Sequence, residues 1–227
     1  MPGSDNPAPD AASAGDGKSL GVILIVLAAA SLGLLANHPS APARTFAELL
    51  RNEAADQTLE GVVHGGLIVV VAVQLACLAN VSMRMRRRRA WAVAGLVMAS
   101  AGAGFLMLSM LLDGLLTPAL AALYVDKLDR QNDARPLFAL IGMLVRFLMP
   151  AGLLFQATSL VCWGGPLVGD SGIRRGTGWF GIVTGILVAA AVVTTAGRVM
   201  HVLIGALVAI AAWYALLGVA LLRDRVG

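Results

Sequence analysis

The sequence predicts an all-α polytopic membrane protein, a bundle of six transmembrane helices with both termini cytoplasmic. Three observations predict it. Of 227 residues, 58% are hydrophobic and only 13% charged, against about a quarter charged in soluble domains. Six apolar windows approach or exceed the roughly 20 residues that cross a hydrocarbon core about 30 Å thick. In lipid the backbone must bond to itself, so each window is a helix; the alternation of an outer-membrane barrel is absent. The third observation is the uneven sharing of arginines between the loops, which sets the orientation. The net charge of +4 is therefore read as membrane topology, not as a nucleic-acid surface.

Residues 1–18 are rich in Pro, Gly, Ala, Ser and Asp and predict a disordered cytoplasmic tail. A single membrane domain then covers 19–222. Its first span is about 19–36; the long, acid-containing leader is unlike the short basic start of a cleaved signal peptide. The loop 37–60 opens with turn and cap residues, and Thr45 to Leu59 carries Phe46, Leu49, Leu50 and Leu59 at near-helical spacing. That pattern predicts a short amphipathic surface helix.

The second span is about 61–83 and stops at Arg84, where a run of five arginines (84 and 86–89) begins. The third runs from about 91 to 116, where Thr117-Pro118 bends or ends it. The fourth lies within 137–163, closed by Gly164-Gly165-Pro166. The fifth covers about 179–196, a turn at Gly197-Arg198 opens the sixth at about 200–222, and 223–227 form a cytoplasmic tail. Gly61 with Gly65, and Gly181 with Gly185, have the spacing of small-residue helix contacts. Cys77 and Cys162 fall inside apolar segments, where a disulfide or metal pair is not expected.

With six spans, the N-terminal tail, the loops at 84–89 and 164–178, and the C-terminus share one side, which carries ten basic residues. The other side carries six over longer loops. Lys/Arg excess marks the cytoplasm. The expected setting is a bacterial-type inner membrane, with the lipid bilayer as the partner, a lipid-like or small-molecule ligand and no nucleic acid; protein partners cannot be read.

Helical rise then fixes depth. His64 precedes Arg84 by twenty positions, about 30 Å of helix. His201 stands twenty-two before Arg223, and Asp113 twenty-four after Arg89. Arg146 is seventeen before Trp163, also in the outer leaflet. Together with Glu60 and His38, these residues are expected at one level near the outer interface. Intramembrane ionisable groups face a partner, water or the bundle interior and mark functional sites. Asp113 and Arg146 are expected to pair, and Pro150 frees the Arg146 carbonyl. Ser109, Asp113 and Thr117 form one polar stripe, and Glu60 and His64 share a face.

Imidazole and carboxylate suit zinc or iron. The expected metal ligands are His64, His201 and Asp113, with Asp113 also the candidate catalytic base, and Arg146, Glu60 and His38 as binding residues. A bis-histidine haem between His64 and His201 is a poorer fit, since haem needs a wide apolar slot as well as its ligands. No CxxCH, HExxH, Walker or GxSxG pattern is present.

Glu60-x-x-x-His64, Asp113 and His201 resemble the site of a membrane hydrolase superfamily that includes alkaline ceramidases and progestin/adiponectin receptors. That resemblance implies a seven-helix zinc amidase in which His64 and His201 hold the metal and Asp113 activates water. The chain departs from the pattern in having six spans and Gly205 where a further histidine is expected. Two functions follow. One is a metal-dependent membrane hydrolase of lipid-like substrates. The other is a non-catalytic component, an accessory subunit, sensor or small permease, in which the same residues are a structural ion pair and interfacial histidines. Gln74 and Gln156 are the only long polar side chains in the inner half of the spans.

Overall fold

A computed structural model describes residues 11–39, 43–85, 89–127, 129–195 and 200–223. Eight α-helices and no strands occur among the described residues: α1 (Ala11–Ala36), α2 (Phe46–Ala55), α3 (Gln57–Arg84), α4 (Arg89–Leu111), α5 (Thr117–Tyr124), α6 (Gln131–Val168), α7 (Gly172–Thr195) and α8 (Met200–Arg223). A π-helical turn, Leu112–Leu116, joins α4 to α5. Six of the resulting rods are long and apolar enough to cross a membrane: Gly17–Ala36, Gln57–Arg84, Arg89–Tyr124, Gln131–Val168, Gly172–Thr195 and His201–Arg223.

Several ends differ from expectation for physical reasons. α1 begins at Ala11 instead of about 19, because the alanine-rich segment before Lys18 favours helix. α3 starts at Gln57, so Leu59 and Glu60 belong to the span and not to the surface helix. Pro118 does not end the third span; the π-helical turn absorbs it and the rod continues to Tyr124. Gly164-Gly165-Pro166 does not end α6 either. A Cβ on Gly164 would lie 2.7 Å from the Gly178 carbonyl, so this glycine is a packing surface against α7. The turn at Gly197-Arg198, the arginines 86–88 and most of the two tails fall outside the described residues.

The spans contact one another around a ring, α1–α3–α4–α6–α7–α8 and back to α1. Apolar burial does not drive helices together in lipid, so close packing of small residues does. A Cβ on Gly102 would stand 2.9 Å from the Gly152 carbonyl between α4 and α6, and one on Gly21 would stand 2.6 Å from the Gly218 carbonyl between α1 and α8. Gly181 and Gly185 are used in this way, lying under Trp213 and against the Ala157 carbonyl. Gly61 and Gly65 are not: the nearest atom to a Gly61 Cβ is Leu115 at 3.8 Å, and nothing approaches Gly65. Trp163 and Trp213 stack at 5.8 Å; the Trp163 indole N–H donates to Ser82 Oγ at 3.1 Å. Both cysteines are buried and free.

A candidate metal centre at one end of the bundle

At the end of the bundle opposite Arg84 and Arg89, four elements meet: the chain leaving α1, helix α2, the start of α3 and the π-helical turn. Asn37 turns the chain out of α1, its side-chain amide donating to the Gly33 carbonyl at 2.7 Å. His38 follows, with Nδ1 2.6 Å from the Pro39 carbonyl. That contact places the proton on Nδ1 and leaves Nε2 as the nitrogen able to bind an ion. Thr45 caps α2 by accepting from the Glu48 N–H at 3.2 Å, and the Glu48 carboxylate accepts from the Arg44 N–H at 2.9 Å; this reciprocal pattern is a capping-box variant. Leu50 is wholly buried. α2 packs on α5 and touches α3, while Phe46 meets Phe138 edge-on at 5.4 Å.

Glu60 and His64, one helical turn apart on α3, are both buried. His64 Nδ1 lies 2.8 Å from Glu60 Oε2 and 3.2 Å from the Glu60 carbonyl. The approach to Oε2 lacks hydrogen-bond direction, so this oxygen is buried with no hydrogen-bond partner among the described residues. On the far side of the ring, His64 Nε2 lies 3.8 Å from Asp113 Oδ2, whose side chain is 45% exposed. His38 packs edge-on against His64, ring centres 4.8 Å apart. Glu53 on α2 belongs to the same electrostatic neighbourhood: burial, then repulsion from Glu60, Asp113 and Asp56, pushes its carboxyl up to about 7.

The π-helical turn sets the floor of the site. Pro118 has no N–H, and its ring would crowd the carbonyl four residues earlier, that of Gly114. One wider turn relieves the clash: the Thr117 N–H reaches back to the Leu112 carbonyl, and Thr117 Oγ1 donates to the same oxygen at 2.9 Å. The wider turn presents Gly114 flat against the imidazole. A Cβ there would fall 1.9 Å from His64 Cγ, so only glycine fits.

One ligand atom each from His38, Glu60 and His64 lies within 4.8 Å of the others, the one such group of three among the described residues. Ligand atoms sit about 2.0–2.2 Å from a zinc ion, so three donors within 4.8 Å of one another are close enough for small side-chain movements to let them hold one. Two imidazoles and one carboxylate are a catalytic-type donor set that leaves a fourth position open.

Of the six residues expected at this level, the fold brings together His38, Glu60, His64 and Asp113. Arg146 and His201 stand apart. Arg146 is exposed and forms no ion pair with Asp113; only Ala134 and Ile141 are buried in α6 before Gly152, so this half of the helix is scarcely packed against the bundle. His201 is exposed at the start of α8, whose main neighbours are α1, α7 and α6. Gly114 and Glu53 were not anticipated; a glycine four residues before a proline inside a span was the available signal for the first. No family model, curated protein or solved structure matches the chain.

Proposed function

We propose that this chain is a membrane metalloprotein in which His38, Glu60 and His64 hold zinc or iron at the extracytoplasmic end of the bundle, and that it hydrolyses a lipid-like ester or amide. The observation that carries the reading is the three donor atoms within 4.8 Å, one of them a buried carboxylate oxygen without a hydrogen-bond partner. The polar neighbour of that oxygen is His64 Nδ1 at 2.8 Å, off hydrogen-bond direction, and a buried carboxylate held in this way is a donor that an ion would complete. A bound ion supplies a Lewis acid and acidifies a water in its open position. Asp113, half exposed and 3.8 Å from His64 Nε2, would be the carboxylate beside the site able to take up a proton if an ion were bound. Arg146, exposed in the same end of α6, meets an anionic headgroup. The arginine bias of the loops supports a bacterial inner membrane with both termini cytoplasmic.

Elemental analysis of the purified protein tests this. Near-stoichiometric zinc or iron is expected, lost in His38→Ala, Glu60→Ala and His64→Ala and kept in His201→Ala. Release of fatty acid from a long-chain ester in proteoliposomes should disappear with chelator and in Asp113→Asn. Folded protein that neither contains nor takes up either metal would overturn the reading and leave the cluster as a structural ion pair.

A further inference from the structure

An open cavity, about 710 Å³ when the open space at its mouth is counted, is bounded by α1, α3, α4, α8 and Gln156 of α6. Along α3 it extends from Leu67 to Leu78, about 16 Å of helix. Its wall is aliphatic apart from Ser31, Gln74, Gln156 and Tyr214, and it contains no charged side chain. Leu32 of α1 lines the cavity and is 38% exposed, and the cavity is not sealed, so a ligand can reach it from outside the bundle.

The two glutamines are not equivalent. Gln156 is fully engaged: its Oε1 accepts from the Tyr214 hydroxyl at 3.2 Å and its Nε2 donates to the Ala99 carbonyl at 3.3 Å. Gln74 is 94% buried by the complement of its 6% exposure. Its Nε2 has one long contact, 3.5 Å to Ser31 Oγ, and its Oε1 accepts nothing among the described residues. A carboxamide that faces an apolar chamber in mid-membrane with its acceptor empty is costly for the protein alone. A ligand with an apolar body and a hydroxyl donor removes that cost.

We propose that the cavity is a binding site for an uncharged long-chain aliphatic alcohol, entering from the bilayer and donating its hydroxyl to Gln74 Oε1. The absence of charge on the wall selects against carboxylates and amines, which would enter unpaired. The aliphatic lining suits a flexible chain. This site rests on Gln74 and the cavity, not on the metal reading.

The test is photolabelling of purified protein in nanodiscs with diazirine-bearing hexadecanol, and with the matching hydrocarbon and fatty acid. Adducts are mapped by mass spectrometry, and affinity is read from protection by unlabelled compound. The alcohol should label the walls from α3, α4 and α8 and bind roughly tenfold tighter than the hydrocarbon, the worth of one well-formed hydrogen bond. Gln74→Leu, which removes a buried polar group at similar volume, should fold and erase that preference while leaving hydrocarbon labelling unchanged. Ala103→Phe should block both. Equal labelling by alcohol and hydrocarbon, a preference that survives in Gln74→Leu, stronger labelling by the fatty acid, or adducts only on the outer surface would each overturn the proposal.

Discussion

Replacing Gly114 by alanine adds one methyl group, and its effect can be worked from the geometry. The new Cβ would lie 1.9 Å from His64 Cγ, 2.0 Å from Nδ1 and 2.3 Å from His64 Cβ. Turning the imidazole about χ1 clears the first two contacts but leaves the third, because His64 Cβ is fixed to the α3 backbone. Carbon atoms rest about 3.5 Å apart or more, so α3 and the π-helical turn must separate by about 1 Å. Overpacking of this kind costs about 1–3 kcal/mol, and the upper end applies where backbone must move. At about 2–4 °C per kcal/mol for a chain of this size, Tm in detergent should fall by roughly 10 °C. Metal geometry tolerates only about 0.2 Å, so zinc content should fall as well. Gly104→Ala, where nothing lies within 4 Å, is the control and should leave both unchanged or raise Tm slightly. His64→Ala should not fully rescue Gly114→Ala, since the Cβ clash persists, whereas His64→Gly should recover most of the lost Tm. A Gly114→Ala protein with normal Tm and metal content, or full rescue by His64→Ala, would refute the reasoning.

Other outcomes follow from the same geometry. Glu60→Gln should lose metal by elemental analysis, because a neutral carboxamide is a far poorer ligand for zinc or iron than a carboxylate; full metal content there would show that Glu60 is not a ligand. Glu53 is raised from 4.5 to about 7 in the fold, so the folded state holds the proton more tightly. Stability should therefore be greatest below about pH 4.5 for this group and fall as pH rises to about 7; Glu53→Gln should flatten that slope in melts across the range. Ser82→Ala removes the acceptor of the buried Trp163 N–H and should cost about 1–3 kcal/mol, seen as a lower Tm that Trp163→Phe in the same background partly restores. Gly178→Ala would put a Cβ 2.6 Å from the Val168 amide nitrogen and should lower folded yield, as judged by size-exclusion profile, far more than Gly165→Ala.

The spans were legible because lipid makes one demand, apolar length, and hydropathy records it. Their ends were less so, because proline and glycine have a different meaning away from water. Pro118 read as a bend or an end and Gly164-Gly165-Pro166 as a stop, yet at the first the helix widens and runs on and at the second a glycine seats a neighbour. The site was legible in part: counting along the helices set His64, Asp113, His201 and Arg146 at one expected level, with Glu60 and His38 beside them, and His38, Glu60, His64 and Asp113 do meet. Counting does not give azimuth or neighbours. Arg146 lies on a poorly packed half-helix, and His201 on a rod set beside α1 and α7. Gly114 was illegible for a simpler reason, since its contribution is the absence of a side chain where another residue's ring must go.

The contact of Gly21 with Gly218 joins the first span to the sixth. Each glycine would place a Cβ 2.6 Å from the other's carbonyl, so the two backbones touch across the longest separation in sequence of any pair of spans. Four other spans lie between these partners in the sequence. α1 therefore has no partner on this face until α8 is in place, and the circle shuts only when α8 docks. Non-local closure of this sort is slow and leaves intermediates exposed, which makes the docking of α8 on α1 the committing step in closing this ring.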